Sequence, residues 1–346
     1  MTSAVLTNFT LTLRHRSSLS RSEITQVCLS SSSSSTTTTA LAVYPTTQQS
    51  WIDTFSLSSN IANSSSSNSS RTLTSLSKTS GSRAAPAPDS SGRIATLRDW
   101  TAQLSGGAEH HHSSSVLIRD PRSRKPALEI RAAPGSPLAW SHDARLIAAL
   151  EASATPSSNT SGASGERMGV WDARTGTLVG RVASHIDRIA HAAFTPEGRL
   201  VTASRDGTLR ITDVRAGRTV ARLEMEGSGN PRALGVSPDG GTVVSIWGAS
   251  VHVWHPARGG EIMSYGLGAV RETEGWPLCV SPDCRFLACR TEDGFDIMEV
   301  SSGTVVCAVE SDVLVTAAAF SADSSMLLLG RMDGVVEVWD LEQRKN

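Results

Sequence analysis

Cysteine and histidine residues are the first candidates for chemistry in this chain. Cys279, Cys284 and Cys289 recur at intervals of five residues, whereas a structural metal site usually has its cysteines in closer pairs. We therefore interpret them as small buried apolar side chains. The tract His110-His111-His112 could bind a metal ion loosely, but its composition favours a solvated loop. No metal site is predicted from either group.

Three aspartates form the second group of candidates, because carboxylates can act as general acids and bases. Each is followed by glycine, and Asp-Gly is a strong signal for a tight hairpin turn. The three residues are Asp206, Asp293 and Asp333. We assign them to turns. Since no glycine-rich phosphate loop, nucleophile elbow or HExxH motif is present, no catalytic residue and no cofactor are expected.

The stretch 315–342 shows which elements carry these turns. It contains two apolar runs and one alternating run, separated by two turn signals, and it ends in Trp339-Asp340. This pattern predicts three short strands. Counterparts of Trp339 recur upstream at intervals of 41 to 44 residues, at Met298, Trp254, Thr212 and Trp171. A period of roughly 40–45 residues with a Trp-Asp ending is typical of a propeller blade.

A second turn signal repeats in register with the first. It reads Thr195-Pro196-Glu197-Gly198, Ser237-Pro238-Asp239-Gly240, Ser281-Pro282-Asp283 and Ser321-Ala322-Asp323. With two motifs in register, the sequence resembles the WD40-repeat family, most strongly over 136–342. The resemblance implies an all-β, seven-bladed β-propeller whose two N-terminal blades are degraded.

The resemblance also implies a structural hydrogen-bond chain of His, Ser or Thr, Asp and Trp within a blade. The repeat at 185–213 supplies His185, Thr202 or Ser204, and Asp206, but Thr212 stands in place of the tryptophan. The last repeat keeps Asp333 and Trp339 without a histidine, and Trp171 and Trp254 are the other structural tryptophans. Each anchor aromatic is expected to pack between neighbouring sheets.

The repeats predict a single domain over 1–346, with low-complexity loops near 30–39, 58–72, 98–114 and 155–166. Seven copies leave the last blade without a fourth strand, and the alternating segment 9–13 can fill that gap. A ring closed by this N-terminal strand hides every long sheet edge. The arginines that precede the first acidic residue, Glu23, leave a targeting peptide as the alternative.

Composition limits the partners. The net charge is −1, so nucleic acid is an improbable partner, and no apolar run approaches the ~18 residues of a membrane span. Five cysteines form an odd set without the spacing of a disulfide framework, which indicates a reducing compartment. We expect the cytoplasm or nucleus, with the mitochondrion as the alternative if the N-terminus is a targeting signal.

Protein-binding residues are expected on the propeller rim, at the start of the first strand and just before the turn aspartate of each blade. Arginine and aromatic side chains at such positions are common anchors of protein interfaces. The candidates are Arg188, Arg205, Arg232, Trp247, Trp276, Glu292 and Met332. For Trp247 and Trp276, filling a gap beside small neighbours is the alternative.

A separate pattern places arginine two residues after a blade-ending aspartate. It occurs at Asp120-Pro121-Arg122, Asp172-Ala173-Arg174 and Asp213-Val214-Arg215. Some WD40 receptors of cullin-4 ubiquitin ligases carry a Trp-Asp-x-Arg ending of this kind, and Trp171 to Arg174 matches it. The resemblance implies that Asp172, Arg174, Asp213 and Arg215 could bind a ligase adaptor, although an arginine on a solvated strand end explains the pattern as well.

Taken together, the sequence predicts a non-catalytic scaffold for protein–protein interactions that acts on no small-molecule substrate. A substrate receptor of a cullin-4 type ubiquitin ligase is one alternative. A propeller hydrolase is another, and it would need polar residues that converge on the central channel.

Overall fold

The computed structural model describes residues 9–18, 23–31, 37–45, 50–59, 71–80, 83–88, 93–102, 111–120, 126–133, 136–152, 166–182, 185–225, 230–256, 260–267 and 276–343. In this part of the chain, seven antiparallel sheets of four strands each are formed. Each sheet is one blade, and blades 1 to 7 follow one another in chain order. The chain therefore folds as the predicted seven-bladed β-propeller.

The strands are grouped here by their place in the blade. The first, innermost strands are β2 (Gln26–Ser31), β6 (Arg83–Pro86), β10 (Ala139–Trp140), β14 (Ile189–Phe194), β18 (Pro231–Val236), β22 (Trp276–Val280) and β26 (Val315–Phe320). The second strands are β3 (Thr37–Pro45), β7 (Ile94–Ala102), β11 (Leu146–Leu150), β15 (Arg199–Ser204), β19 (Val243–Trp247), β23 (Phe286–Thr291) and β27 (Met326–Arg331). The third strands are β4 (Ser50–Ser59), β8 (His111–Arg119), β12 (Met168–Asp172), β16 (Thr208–Asp213), β20 (Ser250–His255), β24 (Gly294–Glu299) and β28 (Val335–Gln343). The outer strands are β5 (Arg71–Ser80), β9 (Leu128–Ala132), β13 (Leu178–Val182), β17 (Arg218–Glu224), β21 (Gly260–Gly266), β25 (Val305–Glu310) and β1 (Phe9–Ser18).

The seven inner strands form a closed ring around a central channel. Strand β2 contacts β6 and β26, β10 contacts β6 and β14, β18 contacts β14 and β22, and β22 contacts β26. Apolar side chains fill the wedges between neighbouring blades. Trp339, for example, meets the ring of Phe295 in the preceding blade edge to face, with centroids 5.7 Å apart. Packing of this kind removes the large faces of both sheets from water.

The ring is closed by the N-terminal strand, as predicted. Strand β1 pairs antiparallel with β28, from Phe9 opposite Gln343 to Ser18 opposite Val335. Two further bonds join blade 7 to blade 1. The Thr316 hydroxyl donates to the Ile24 carbonyl at 2.6 Å, and the Ile24 amide donates to the Arg331 carbonyl at 3.1 Å.

The loops between blades and the hairpins between second and third strands lie on one side of the disk, which we name the connector face. The turns between first and second strands and between third and fourth strands lie on the other side, the turn face. Hydrogen bonds within each face show this grouping. Arg205 N–H donates to the Arg188 carbonyl on the connector face, and Ala173 N–H donates to the Arg145 carbonyl on the turn face.

A Ser-x-Asp sequence shapes most of the described turns between first and second strands. The Ser237 hydroxyl donates to Asp239 at 2.5 Å and accepts the Thr242 N–H at 2.9 Å. Ser141, Ser281 and Ser321 make the same pair of bonds. The fourth turn residue has positive φ throughout, at Gly198 and Gly240 but also at Ala144, Cys284 and Ser324. The turn is thus formed even without the glycine that this conformation favours.

Several strands extend into segments that the sequence analysis predicted as loops. Strand β3 begins at Thr37, β5 at Arg71 and β8 at His111; the threonines at the starts of β3 and β5 suit a strand as well as a linker. His111 and His112 therefore belong to a strand and not to a loop, while His110 lies outside the described residues. The outer strands β5, β9 and β21 were not predicted at all.

Candidate functional site

The connector face of blade 4 is fixed by a buried hydrogen-bond chain. His185, with no exposed surface, lies with Nδ1 3.0 Å from Asp206 Oδ2 and Nε2 2.8 Å from the Thr202 hydroxyl. Of the two hydroxyl groups that the sequence offered, Thr202 is the one that bonds to His185. Ser204 instead donates to the Asp187 carbonyl at 2.9 Å. Thr212 is buried too, and its hydroxyl has no hydrogen-bond partner among the described residues.

The charge states in this chain follow from its surroundings. Burial lowers the pKa of His185 against the opposing effect of Asp206. Burial would raise the pKa of Asp206, but hydrogen bonds from the Thr208 hydroxyl and the Ile186 N–H hold it below its usual value. A neutral imidazole must then donate through Nδ1 to the carboxylate and accept through Nε2 from Thr202. Both ring nitrogens of His185 are thus hydrogen-bonded, and the bonds tie the interblade loop to the hairpin.

This chain presents two arginines to solvent. Arg188 and Arg205 are exposed, and the backbone bond from Arg205 N–H to the Arg188 carbonyl is 2.9 Å long. Ile186 stands beside them with 80% of its surface exposed. Blade 4 therefore presents two arginines and one apolar side chain beside the exposed carboxylate of Asp187, all held on a rigid backbone.

Blade 7 replaces the histidine chain by a buried ionic network that the sequence analysis missed. Arg331 donates through Nη1 to Glu337 at 2.8 Å and through Nη2 to Asp333 at 2.8 Å. Glu337 also accepts the Trp339 indole N–H at 3.0 Å, and Arg16 of the N-terminal strand lies 2.6 Å from it. Burial alone would lower the pKa of Arg331, but hydrogen bonds to Asp333 and Glu337 raise it. The sequence signal for this network was the presence of charged residues within apolar strands. Arg331 ends β27, and Glu337 lies two residues before Trp339 in β28.

The connector face of blade 7 presents two apolar side chains, Leu314 and Met332, beside the exposed carboxylates of Asp312 and Asp333. Met332 N–H donates to the Leu314 carbonyl at 2.9 Å, the same link that joins Arg205 to Arg188. Leu314 and Met332 keep 39% and 55% of their surface exposed. Blade 6, which lies between blades 5 and 7, carries exposed carboxylates on its connector face at Glu292, Asp293, Glu310 and Asp312.

The expectation that Trp247 is exposed on the rim is wrong. Its side chain has no exposed surface and packs with Val201 and Trp254 between blades 4 and 5. The hairpin of blade 5 has only Gly248 and Ala249 between its paired ends, one residue fewer than blade 4. Trp247 therefore occupies the strand position of Ser204, and a shift of one residue turns a side chain to the opposite face of a sheet.

The two remaining rim candidates lie on inner strands. Trp276 is the first residue of β22 and pairs with Arg290, but its side chain is outside the described set. Arg232, the second residue of β18, is half-buried. Neither residue lies on the exposed hairpin loops that carry Arg205, Glu292 and Met332.

The Asp-x-Arg residues lie on the turn face. Asp172 Oδ1 accepts the backbone N–H groups of Arg174 and Thr175 at 2.9 and 2.8 Å. Asp213 makes the same contacts with Arg215 and Ala216. Both aspartates thus stabilise the turns in which they lie, whereas the Arg174 and Arg215 side chains are exposed. Arg122 is outside the described residues.

The cysteines of the inner strands are poor nucleophiles. Burial raises the pKa of Cys28 to about 12 and raises that of Cys279 still further, so neither inner-strand thiol is ionised at neutral pH. No cluster of three or more His, Cys, Asp or Glu side chains with a metal-binding arrangement occurs in the described ranges. Nor do these ranges include a helix long and apolar enough to cross a bilayer.

Comparison with known proteins gives partial matches to this chain. The family model "WD domain, G-beta repeat" matches residues 176–213 and 303–340, each of which ends at a blade-ending aspartate. WD repeat and SOCS box-containing protein 1 of Mus musculus is 32% identical over 93 residues, and that of Danio rerio is 31% identical over 91 residues. These matches cover about a quarter of this chain, 26% and 25%, and the chain spans 22% of the length of either relative.

Proposed function

We propose that this chain, a WD40-repeat propeller, works as a non-catalytic scaffold that binds protein partners through its connector face. The observation that carries the proposal is the contrast between rigid backbone and exposed side chains on that face. Buried networks fix the hairpins of blades 4 and 7, while Arg205 and Met332 at the tips of those hairpins are exposed. A preformed surface binds without the entropy cost of ordering loops.

The sectors of the connector face differ in chemistry. Blade 4 exposes Arg188 and Arg205, blade 6 exposes several carboxylates, and blade 7 exposes the apolar side chains of Leu314 and Met332. A partner that covers this arc would place carboxylates against Arg188 and Arg205 and an apolar side chain against Leu314 and Met332. Such complementarity supports specificity more than affinity.

Affinity purification with mass spectrometry tests the proposal. The variant Arg205→Ala with Met332→Ala removes one exposed side chain from each of two sectors without touching a buried network. The matched control, Arg174→Ala with Arg215→Ala, removes two exposed side chains from the turn face. We expect partners to be lost from the first variant and retained by the second. Retention of every partner by the first variant would contradict the connector-face assignment.

A substrate receptor of a cullin-4 type ubiquitin ligase is the second candidate. It is supported by the exposure of Arg174 and Arg215 in adjacent blades on the turn face. Here the same two variants should behave in the opposite way. The ligase adaptor should co-purify with the Arg205→Ala, Met332→Ala protein and be lost from the Arg174→Ala, Arg215→Ala protein. Absence of any adaptor from the unmutated protein would remove this candidate.

The hydrolase alternative receives less support. The thiols of Cys28 and Cys279 on the inner strands are protonated at neutral pH, and the Thr316 hydroxyl is engaged with two backbone carbonyls, at 2.6 and 3.1 Å. We place the scaffold in the cytoplasm or nucleus, because all five cysteines are free and free thiols persist in reducing compartments.

A further inference from the structure

One interblade loop joins the hairpin tips of blades 6 and 7 on the connector face. The Ser311 N–H donates to the Asp293 carbonyl of the first hairpin at 2.8 Å, and the Met332 N–H of the second hairpin donates to the Leu314 carbonyl at 2.9 Å. Within the loop, the Ser311 hydroxyl donates to the Val313 carbonyl at 2.7 Å. Because these bonds follow one another along the chain, the two tips and the loop form one continuous strip with a fixed backbone.

Side chains of two kinds cover this strip. Leu314 and Met332, whose backbones are joined by the second bond, expose 39% and 55% of their surface. The first hairpin tip and the start of the loop carry exposed carboxylates instead. These are Glu292, Asp293, Glu310 and Asp312. We name the two apolar and four acidic residues the inter-hairpin strip.

The four carboxylates of the inter-hairpin strip make no ion pair with another residue of the described ranges. The arginines nearby are already engaged or partly covered. Arg331 is bound to Asp333 and Glu337, Arg16 lies 2.6 Å from Glu337, and Arg290 is half-buried in β23. The apolar pair is therefore flanked by negative charges that these three cations do not neutralise.

This combination of groups selects among classes of partner. A surface with exposed charges of one sign attracts the opposite charge and repels its own, so nucleic acid and anionic bilayers are disfavoured here. Two exposed apolar side chains on an ordered backbone favour contact with an apolar side chain of a protein. Charge complementarity and apolar contact together are satisfied by a protein segment that carries both cationic and apolar residues.

We propose that the inter-hairpin strip binds a basic segment of a partner protein. An apolar side chain of this segment lies against Leu314 and Met332, and its arginine or lysine side chains face the carboxylates. The inference rests on the scaffold function proposed above and names the chemistry of the partner at one part of the connector face. Exposed ion pairs contribute little one at a time, so selectivity comes from several charges together with the apolar contact.

Fluorescence anisotropy with labelled synthetic peptides tests the proposal on the full chain. The probe is Gly-Arg-Lys-Phe-Arg-Lys-Gly, and two matched peptides carry Glu at every basic position or Ala in place of Phe. We expect the probe to bind at least tenfold more tightly than the Glu peptide and several-fold more tightly than the Ala peptide. Its affinity should fall as salt is added, because exposed charges are screened. Equal binding of the basic and acidic peptides would overturn the proposal.

Variants of the strip locate the binding. Glu292→Gln with Asp312→Asn should weaken the probe at least fivefold. Leu314→Ala should weaken the probe but leave the Ala peptide unchanged, because that peptide has no apolar side chain to lose. The matched control, Glu129→Gln with Glu197→Gln, removes two exposed carboxylates from the outer strand of blade 2 and the turn face of blade 4. It should change the affinity less than twofold, and equal weakening by this control would show that the peptide senses only the net charge.

Affinity purification with the same charge variant separates this inference from the scaffold function. Loss of a partner from both the Arg205→Ala, Met332→Ala protein and the Glu292→Gln, Asp312→Asn protein supports the two proposals together. Loss from the first with full retention by the second would leave the scaffold function in place and contradict the basic segment. The salt dependence and the peptide preference are measured on the unmutated protein, so they decide the question even if a variant does not fold.

Discussion

The guanidinium of Arg16 lies 2.6 Å from the carboxylate of Glu337, so the first strand supplies a counter-charge to a buried acid of the last blade. Glu337 is 4% exposed and is held from its other side by Arg331. The N-terminal strand therefore contributes both a row of backbone hydrogen bonds and a charge to blade 7.

Removal of residues 1–18 is expected to lower the melting temperature markedly and to cause aggregation. The deletion exposes the edge of β28 and leaves Glu337 with one cation fewer. Differential scanning calorimetry and light scattering check the outcome. Removal of residues 1–8, which precede β1, is the control and should leave the melting temperature within about a degree. Similar behaviour of the two deletions would contradict closure by β1.

Arg331→Met is expected to lower the free energy of unfolding by about 3–5 kcal/mol, since it leaves the buried Glu337 carboxylate poorly compensated. Arg331→Met combined with Glu337→Met should recover part of this loss. Urea denaturation followed by tryptophan fluorescence measures both. A loss below about 1 kcal/mol in the single variant would show that the network contributes little.

Two buried threonines of blade 4 should respond in opposite directions to the same substitution. The Thr212 hydroxyl lacks a partner among the described residues, so Thr212→Val should stabilise by about 1 kcal/mol. The Thr202 hydroxyl bonds to His185 at 2.8 Å, so Thr202→Val should destabilise by about 1–3 kcal/mol. Chemical denaturation of both variants under identical conditions provides the comparison. Equal signs would contradict the assigned hydrogen-bond chain.

Acid should destabilise the fold partly through His191. Its pKa of about 4 in the folded chain lies below the usual histidine value of 6.5, so between these two values the unfolded chain binds a proton that the folded chain does not. The contribution of His191 to the free energy of unfolding is therefore fully present above about pH 6.5 and is lost as the pH falls toward 4. His185, whose pKa is also lowered, adds to the effect. His191→Gln should flatten the dependence of unfolding free energy on pH between these limits, and an unchanged slope would contradict the burial of His191.

Trp247→Ala is expected to cost about 3–5 kcal/mol of stability, because a fully buried aromatic side chain leaves a cavity when truncated. Met332→Ala, at an exposed rim position, should change stability by less than about 0.5 kcal/mol. Thermal unfolding of the two variants distinguishes a core residue from a surface residue. Comparable effects would contradict the observed burial of Trp247.

The repeat period and the turn motifs were sufficient to predict the blades and their closure by the N-terminal strand. Burial was harder to predict. Trp247 was misplaced by one residue because the hairpin of blade 5 is shorter than that of blade 4, and strand periodicity turns such an error into the wrong face. The outer strand β21 was missed although Met263 and Tyr265 alternate along it and pack against the core, because this short pattern lies between glycines.

The ionic network of blade 7 shows a different limit of sequence reasoning. A family pattern identifies Asp333 and Trp339 but gives no reason to join them through Arg331 and Glu337. That connection depends on which side chains the strand pairing brings to the same buried face.

The bond between Thr316 and Ile24 joins residues 292 positions apart, and this separation has a consequence for synthesis on the ribosome. The first strand emerges early but can pair only when the last blade has been made, on the order of tens of seconds later at usual elongation rates. Contacts between such distant residues also form slowly once the chain is complete. During that interval strand β1 of the nascent chain is unpaired, and it is the segment that molecular chaperones would most need to protect.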